Sequence, residues 1–276
     1  MPAFHEYSLQ DRPAHRFVCF IMAALLLRLL FLLPMLAALP AASAEAPIVI
    51  DSPESHPYAY RENGRMTGLF HDLVIEAFRR AHHPVEIHLI PWARSMEEVR
   101  QGRADGMFVV YKTAERERDF AFPVEPLTEL RERIFVRRTA RFDYMEDFTN
   151  FDGRRVGMLN YTVHGAKLSQ ALEERRVVSL VSASSYESLV EMLASGRLDI
   201  AIGVDDAIID AVLSQKVADK IREIEKVVDT IPAYLVFARE PRLTEVAADF
   251  DRAMRSMRED GTYDRILAAY PRRTLK

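Results

Sequence analysis

The sequence predicts an α/β fold in which mostly parallel sheets are flanked by helices, and two observations predict it. Short β-rich runs alternate with amphipathic helical runs along most of the chain, an order that lays helices over parallel strands. A helix–Gly–Asp–strand passage also recurs. "SMEEVRQGRADGMFV" carries Gly102-Arg103-Ala104-Asp105, and "SYESLVEMLASGRLDIAIG" carries Gly196-Arg197-Leu198-Asp199. Two similar α/β units joined in one chain follow from this weak internal repeat.

The elements are justified in order. "APIVID" reads as a first strand. In "GLFHDLVIEAFRRAHH", Leu69, Phe70, Leu73, Val74, Ala77 and Phe78 fall at helical spacing, with Asp72 in the first turn where the helix dipole favours a carboxylate. "VEIHLI" alternates Val85, Ile87 and Leu89, the pattern of a half-buried strand. "ARSMEEVRQG" is a helix stopped by Gly102, and "DGMFVV" is a strand apolar enough to be buried on both faces. The charged run Glu115 to Asp119 reads as a solvated helix turn. A second unit begins near Phe148: "DGRRVGMLN" is a turn and strand, "GAKLSQALEERR" a helix, "VVSLVSA" a strand. The repeated helix and strand follow, then the strand "IPAYLVFARE" and two closing helices, "LTEVAADFDRAMRSMREDG" and "TYDRILAAY". No Pro/Gly/Ser-rich linker separates the units, so closely connected lobes are expected.

Residues 17 to 39 are almost wholly apolar, interrupted by Arg28, and Ala42-Ser43-Ala44 follows. A positive residue, an apolar stretch and an A-x-A site make a secretory signal peptide over 1–44, cleaved after Ala44. With Met22 as the start, "MAALLLR" becomes an ordinary n-region. The apolar stretch is also long enough for a transmembrane anchor, but Arg28, Pro34 and the cleavage site argue against one. The only cysteine, Cys19, precedes the cut, which leaves the mature chain without a disulfide or a thiol for lipid attachment. The formal net charge of −4 provides no footprint for nucleic acid or an anionic membrane.

The order of motifs resembles that of the family 3 extracellular solute-binding proteins, the periplasmic receptors of polar amino acid ABC transporters. "HPYAYRENGRMTGLFHDLVIEAF" looks like the family's opening, with its aromatic-rich loop and polar turn. "GRADGMFVVYKTAERERDFAFP" is similar to its Gly-x-x-Asp, strand, Thr-x-Glu-Arg and aromatic-x-x-Pro passage, and "DGTYDRI" matches its closing helix pair. The resemblance covers nearly all of residues 47 to 270. It implies the two-lobed periplasmic binding protein type II fold, with lobe one at 46–137 plus 233–276 and lobe two at 140–231. It implies a monomer that holds a small-molecule ligand in the cleft for an ABC permease, working in the periplasm by hinge closure.

The resemblance also implies site residues. Arg116 occupies the position of the arginine that grips a ligand carboxylate, and a guanidinium makes bidentate, charge-assisted bonds without ever losing its charge. Tyr58, Tyr60 and Trp92 fall where side chains sandwich the ligand's body, and packing within lobe one is their other reading. Arg94 is either a second basic group of the cleft or a helix surface residue. Asn160 to Gly165 fill a helix N-terminus where the family donates backbone N–H groups. There Tyr161, Thr162 and His164 are candidate contacts, and Thr162 is equally a helix cap.

The second lobe departs from the pattern. The aspartate that binds an α-ammonium falls at Val204, so either Asp205 enters the cleft or that contact is missing. Tyr111 and Val109 replace smaller residues before the arginine and reshape the pocket. These departures leave room for an organic acid or a modified amino acid. Two other readings remain: a periplasmic enzyme like the cyclohexadienyl dehydratases, with a cleft carboxylate as acid, or a freestanding sensor that presents its closed form to a membrane receptor. The sequence carries no nucleophile elbow, metal-ligand cluster or phosphate loop, so a binding protein without cofactor or metal is expected.

Overall fold

The computed structural model describes residues 46–160 and 162–275; the expected signal segment 1–44 and Tyr161 lie outside the described residues. Strand β1, Ile48–Ser52, buries Ile48 and Ile50. A hairpin that the apolar pattern did not predict follows, β2 (Tyr60–Glu62) and β3 (Arg65–Thr67), turning at Asn63 and Gly64, both at positive φ. Helix α1, Leu69–Ala81, buries the six apolar residues that its spacing predicts. It starts after Gly68, whose φ of 126° and missing side chain are both required, because a Cβ there would overlap the Tyr58 carbonyl.

Strand β4 (Val85–Leu89), helix α2 (Trp92–Arg100) and strand β5 (Gly106–Tyr111) complete the first βαβ pattern. The short helix α3 (Arg116–Asp119), strand β6 (Phe120–Ala121) and the ten-residue strand β7 (Thr128–Arg137) come next. In the second unit the order is β8 (Val156–Leu159), α4 (Ala166–Glu173), β9 (Leu180–Ala183), α5 (Tyr186–Ala194) and β10 (Ile200–Val204). Helix α6 (Asp205–Ser214) follows directly, then β11 (Ile221–Glu223), β12 (Asp229–Ala238), α7 (Leu243–Glu259) and α8 (Thr262–Ala269). No helix of the described residues is long and apolar enough to cross a membrane.

The strands run in the order β4-β1-β5-β12-β7-β10-β8-β9. Pairing is parallel at both ends, where β1 meets β4 and β5, and β8 meets β9 and β10. The centre is antiparallel. β7 and β12 pair over Thr128–Glu132 against Asp229–Ala233, then part company. β12 continues along β5 and β7 along β10. A chain that crosses from one unit to the other and back must send one strand each way, and these two strands are that pair.

The recurring Gly-x-x-Asp passage has one structural role, played twice. Gly102 and Gly196 take left-handed backbone conformations just past their helices, with φ of 69° and 78°. Asp105 then accepts the Val49 N–H at 2.8 Å, and its own N–H goes to the Val49 carbonyl. Asp199 does the same with Arg155, at 2.9 Å for each bond. Each aspartate therefore locks its strand to the strand that opens the unit, β1 or β8.

One apolar core gathers α1, β5, β12 and α7 around Phe70, Phe78, Phe108, Phe237 and Phe250. Two further cores cover opposite faces of the second unit's sheet, and β7 feeds both by its alternation: Ile134 and Val136 to one, Phe135 to the other. Along β7 the core changes between Leu130 and Ile134, several residues before the expected boundary at 137. The reason is the partner strand: from Glu132 onward β7 runs along β10.

Candidate functional site

The strand ends dictate where a cavity forms. In sheets of this kind the space outside the carboxyl ends of parallel strands is left uncovered by helices, and ligands bind there. A cavity of about 720 Å³ opens at that place. One wall comes from the segments after β1 and β4 and from the end of β5: His56, Tyr60, Trp92, Val109 and Tyr111, with Arg116 of α3. The facing wall comes from the segments after β8, β9 and β10: Asn160, Thr162, Ser185, Glu187, Ala207 and Asp210. Both units therefore contribute.

Arg116 is the half-buried cation of the cavity lining. It opens the four-residue helix α3, and its N–H donates to Thr113 Oγ1 at 3.1 Å. Its Nη1 donates to the Tyr111 carbonyl at 3.0 Å, and its guanidinium lies 5.2 Å from the centre of the Trp92 ring. Burial pulls its pKa down, opposed by Tyr111 and Glu115, yet an arginine remains charged at every physiological pH. No carboxylate of the described residues lies within ion-pair range of it. The neighbouring charges are otherwise engaged: Glu117 with Lys112 at 2.9 Å and Asp119 with Arg100 at 3.0 Å. Arg118 is exposed. Of the charged run, Arg116 alone faces the cavity.

Val109 lines the cavity at φ 66°, a conformation that a β-branched residue rarely adopts. It is the extra residue of a bulge, because Tyr234 pairs with Val110 while Leu235 pairs with Phe108. Strain of this kind persists where surrounding packing enforces it, often at ligand sites. Tyr111, next but one, is buried, and that burial raises its phenol pKa well above the usual value. Tyr60 stacks at a tilt on His56, their ring centres 4.0 Å apart.

Five of the expected residues, Arg116, Tyr60, Trp92, Tyr111 and Thr162, meet at this cavity. Tyr161 lies outside the described residues. Four do not reach it, one of them His164, which turns to Glu132. Tyr58 is 3% exposed and stacks on Phe70 with ring centres 4.7 Å apart. Its carbonyl accepts the Phe70 N–H at 2.9 Å, which draws the ring into the core rather than the cleft. Arg94 stands two positions beyond Trp92, about 200° around the helix, and turns outward to Glu98 at 3.4 Å. Asp205 is 2% exposed and pairs with Arg131 at 2.6 Å and Arg133 at 3.4 Å. Register explains that pairing: Val204 lies opposite Glu132, so the next residue meets the arginines on either side of it.

The expectation for the α4 N-terminus is also corrected. Gly165, not Thr162, is its cap residue, and it supplies no side chain. The N–H groups of Lys167 and Leu168 go instead to Asp229 Oδ2 on β12, at 2.7 and 3.3 Å. Glu132 takes the Gly165 N–H at 2.9 Å and approaches His164 Nδ1 at 2.7 Å. These donors are occupied within the protein. Residues that sequence reasoning missed are Glu187 and Asp210, along with the role of His56. Asp210 sits on α6, a helix the apolar pattern left unread.

The family described as bacterial extracellular solute-binding proteins, family 3, matches residues 48–272. The chain is similar to the probable amino-acid-binding protein YxeM of Bacillus subtilis (strain 168), 20% identical over 218 residues, covering 79% of this chain and 80% of that protein. Among solved structures it resembles a histidine kinase sensor domain with similarity to periplasmic binding proteins (TM-score 0.69, 20% identity, 82% of this chain and 96% of the other). It also resembles the arginine-, lysine-, histidine-binding protein ArtJ of Geobacillus stearothermophilus (TM-score 0.67, 18% identity, 84% and 97%). These likenesses establish the two-lobed type II fold.

Proposed function

The chain belongs to the bacterial extracellular solute-binding proteins of family 3, and on that premise we propose that it captures a small carboxylate-bearing solute, an amino acid or a related compound. The solute sits in the cavity between the two units and is passed on, chemically unchanged, to an ABC-type permease. Receptor and permease meet in the periplasm, after loss of residues 1–44. The observation that carries this reading is Arg116: a half-buried guanidinium, oriented by Thr113, Tyr111 and Trp92, with no carboxylate among the described residues to neutralise it. In a closed cleft of effective dielectric ~20, opposite charges ~4 Å apart attract by about 4 kcal/mol before desolvation. Trp92 and Tyr60 offer flat faces to the solute's body. The lobes divide where the apolar cores change, at the β7–β12 crossing, so those strands carry the hinge.

Native mass spectrometry of the protein purified from its source identifies the solute, and calorimetry then measures its affinity. Arg116→Ala weakens binding by roughly thirtyfold or more, the loss expected on removing one partner of a buried charged pair, with an unchanged melting temperature. Equal affinity in the variant would sink the carboxylate clamp. Recovery of the solute as a converted product after long incubation would instead support an enzyme.

A further inference from the structure

Helix α8 belongs to the first unit: Tyr263 joins its core, and the Tyr263 hydroxyl donates to the Leu127 carbonyl at 3.0 Å. Tyr270, just past the helix, is fixed to the same unit. Its hydroxyl donates to Asp72 Oδ2 at 2.5 Å, accepts the Gly68 N–H at 3.1 Å and meets Thr67 Oγ1 at 3.1 Å. Pro271 lacks an N–H and disfavours helical backbone before it, so the chain leaves α8 here as an irregular segment. Its far end lies in the other unit. Leu275 is 9% exposed and belongs to an apolar cluster of the second unit, with Phe135, Ile208, Val212 and Ile221. The Leu275 backbone N–H is hydrogen-bonded to the Glu223 carboxylate on β11.

Between those ends the segment is held by charge. Arg273 Nη1 donates to Asp210 Oδ1 at 3.2 Å, and the charge of Arg272 is felt at Asp206. Asp206 and Asp210 stand four positions apart and so share one face of α6. That helix belongs to the second unit, where Ile208, Ile209 and Val212 are buried. Asp210 lies 2.8 Å from His56 Nδ1 of the loop after β1, and both residues line the cavity. The segment is thus a connection between the units in addition to β7 and β12. Those two strands meet at the crossing, whereas this one passes beside the cavity.

We propose that Tyr270–Leu275 is a strap that ties the second unit to the first and limits how far the cavity walls part. The five residues after Tyr270 reach at most ~17 Å when fully extended. Because the strap passes the cavity at Asp210, parting the walls lengthens its path. Opening beyond its reach must pull Leu275 out of its cluster or break the Tyr270 contacts, and either change exposes buried groups to water. Closure meets no such resistance, since walls that approach each other slacken the strap. The solute-free protein is therefore biased toward arrangements in which both walls still line the cavity. The strap depends on the two-lobed fold and on no particular solute, so its failure would leave the proposed function untouched.

The test is double electron–electron resonance on the solute-free mature chain, which holds no cysteine of its own after loss of residues 1–44. Nitroxides go on Arg79→Cys in α1 and Glu191→Cys in α5, exposed positions with one in each unit. The expected result is a distance distribution that broadens and shifts to longer values when the chain stops after Tyr270. A Gly-Ser-Gly-Ser insertion between Tyr270 and Pro271 does the same and keeps the wild-type melting temperature. In that variant Leu275 still docks, and only the reach has grown, by roughly 13 Å. A merely local packing role for Leu275 would not respond to the insertion. If truncation unfolds the chain, the insertion decides alone. Unchanged distances in the insertion variant overturn the proposal, as does a folded truncated chain whose distribution matches that of the wild type.

Discussion

Asp206 sits beside Asp205 in the first turn of α6, and burial followed by the charge of Asp205 pushes its pKa up to about 6. Arg272, Arg131 and Arg133 oppose the shift without cancelling it. Its Oδ1 is buried without a hydrogen-bond partner. A carboxyl raised in the folded state favours folding fully below its unfolded value near 4, and that benefit is lost as pH rises through about 6. Asp206→Asn should therefore stabilise the protein at pH 7.5 by about 1–2 kcal/mol after allowance for solvent screening. The gain should shrink as pH falls below 6 and be nearly gone by about pH 3.5, below the unfolded value near 4. Thermal melts at both pH values check this, and a gain that did not depend on pH would refute it. The residue scale also shows where sequence reading works and fails. Arg116 was legible because a short motif places it. Tyr58 was misplaced because its contact with Phe70 depends on how the loop docks onto α1.

At the scale of elements, α4 shows what local reading misses. Its apolar spacing was plain, with Leu168 and Ala171 buried. Its cap was not, because Asp229 lies on β12, far away in sequence. Replacing Asp229 with Ala leaves two amide donors unmet and should cost about 1–2 kcal/mol in denaturant unfolding, as loss of a helix cap does. Gly165→Ala should cost more, since its Cβ would overlap the Asp229 side chain and drive the cap away. A smaller loss for Gly165→Ala than for Asp229→Ala would contradict this picture. β7 escaped prediction for a related reason. Its inner half carries Arg131, Glu132 and Arg133, a charged stretch that no apolar pattern marks as buried. Each finds a partner only after folding, in Asp205, His164 or Glu223.

At the scale of the whole molecule, β7 and β12 are the two connections that pair with each other while serving different cores. Solute that touches both walls should draw them together about these strands. Small-angle scattering should show a smaller radius of gyration with saturating solute than without it. An identical radius in both states would rule out closure as the response to binding. The sequence by itself determined the alternating α/β order, the two similar units and, through its resemblance to a family, the choice of Arg116 from the charged run. Those features are written in local periodicity and short motifs, which depend on near neighbours along the chain. Only the tertiary structure decided that Asp205 is consumed by Arg131 and Arg133 while Asp210 lines the cavity. Both are aspartates of one helix. The register of β10 against β7, together with the turn of α6, sends one inward and the other to the cleft, and pairings between distant strands leave no mark on local sequence.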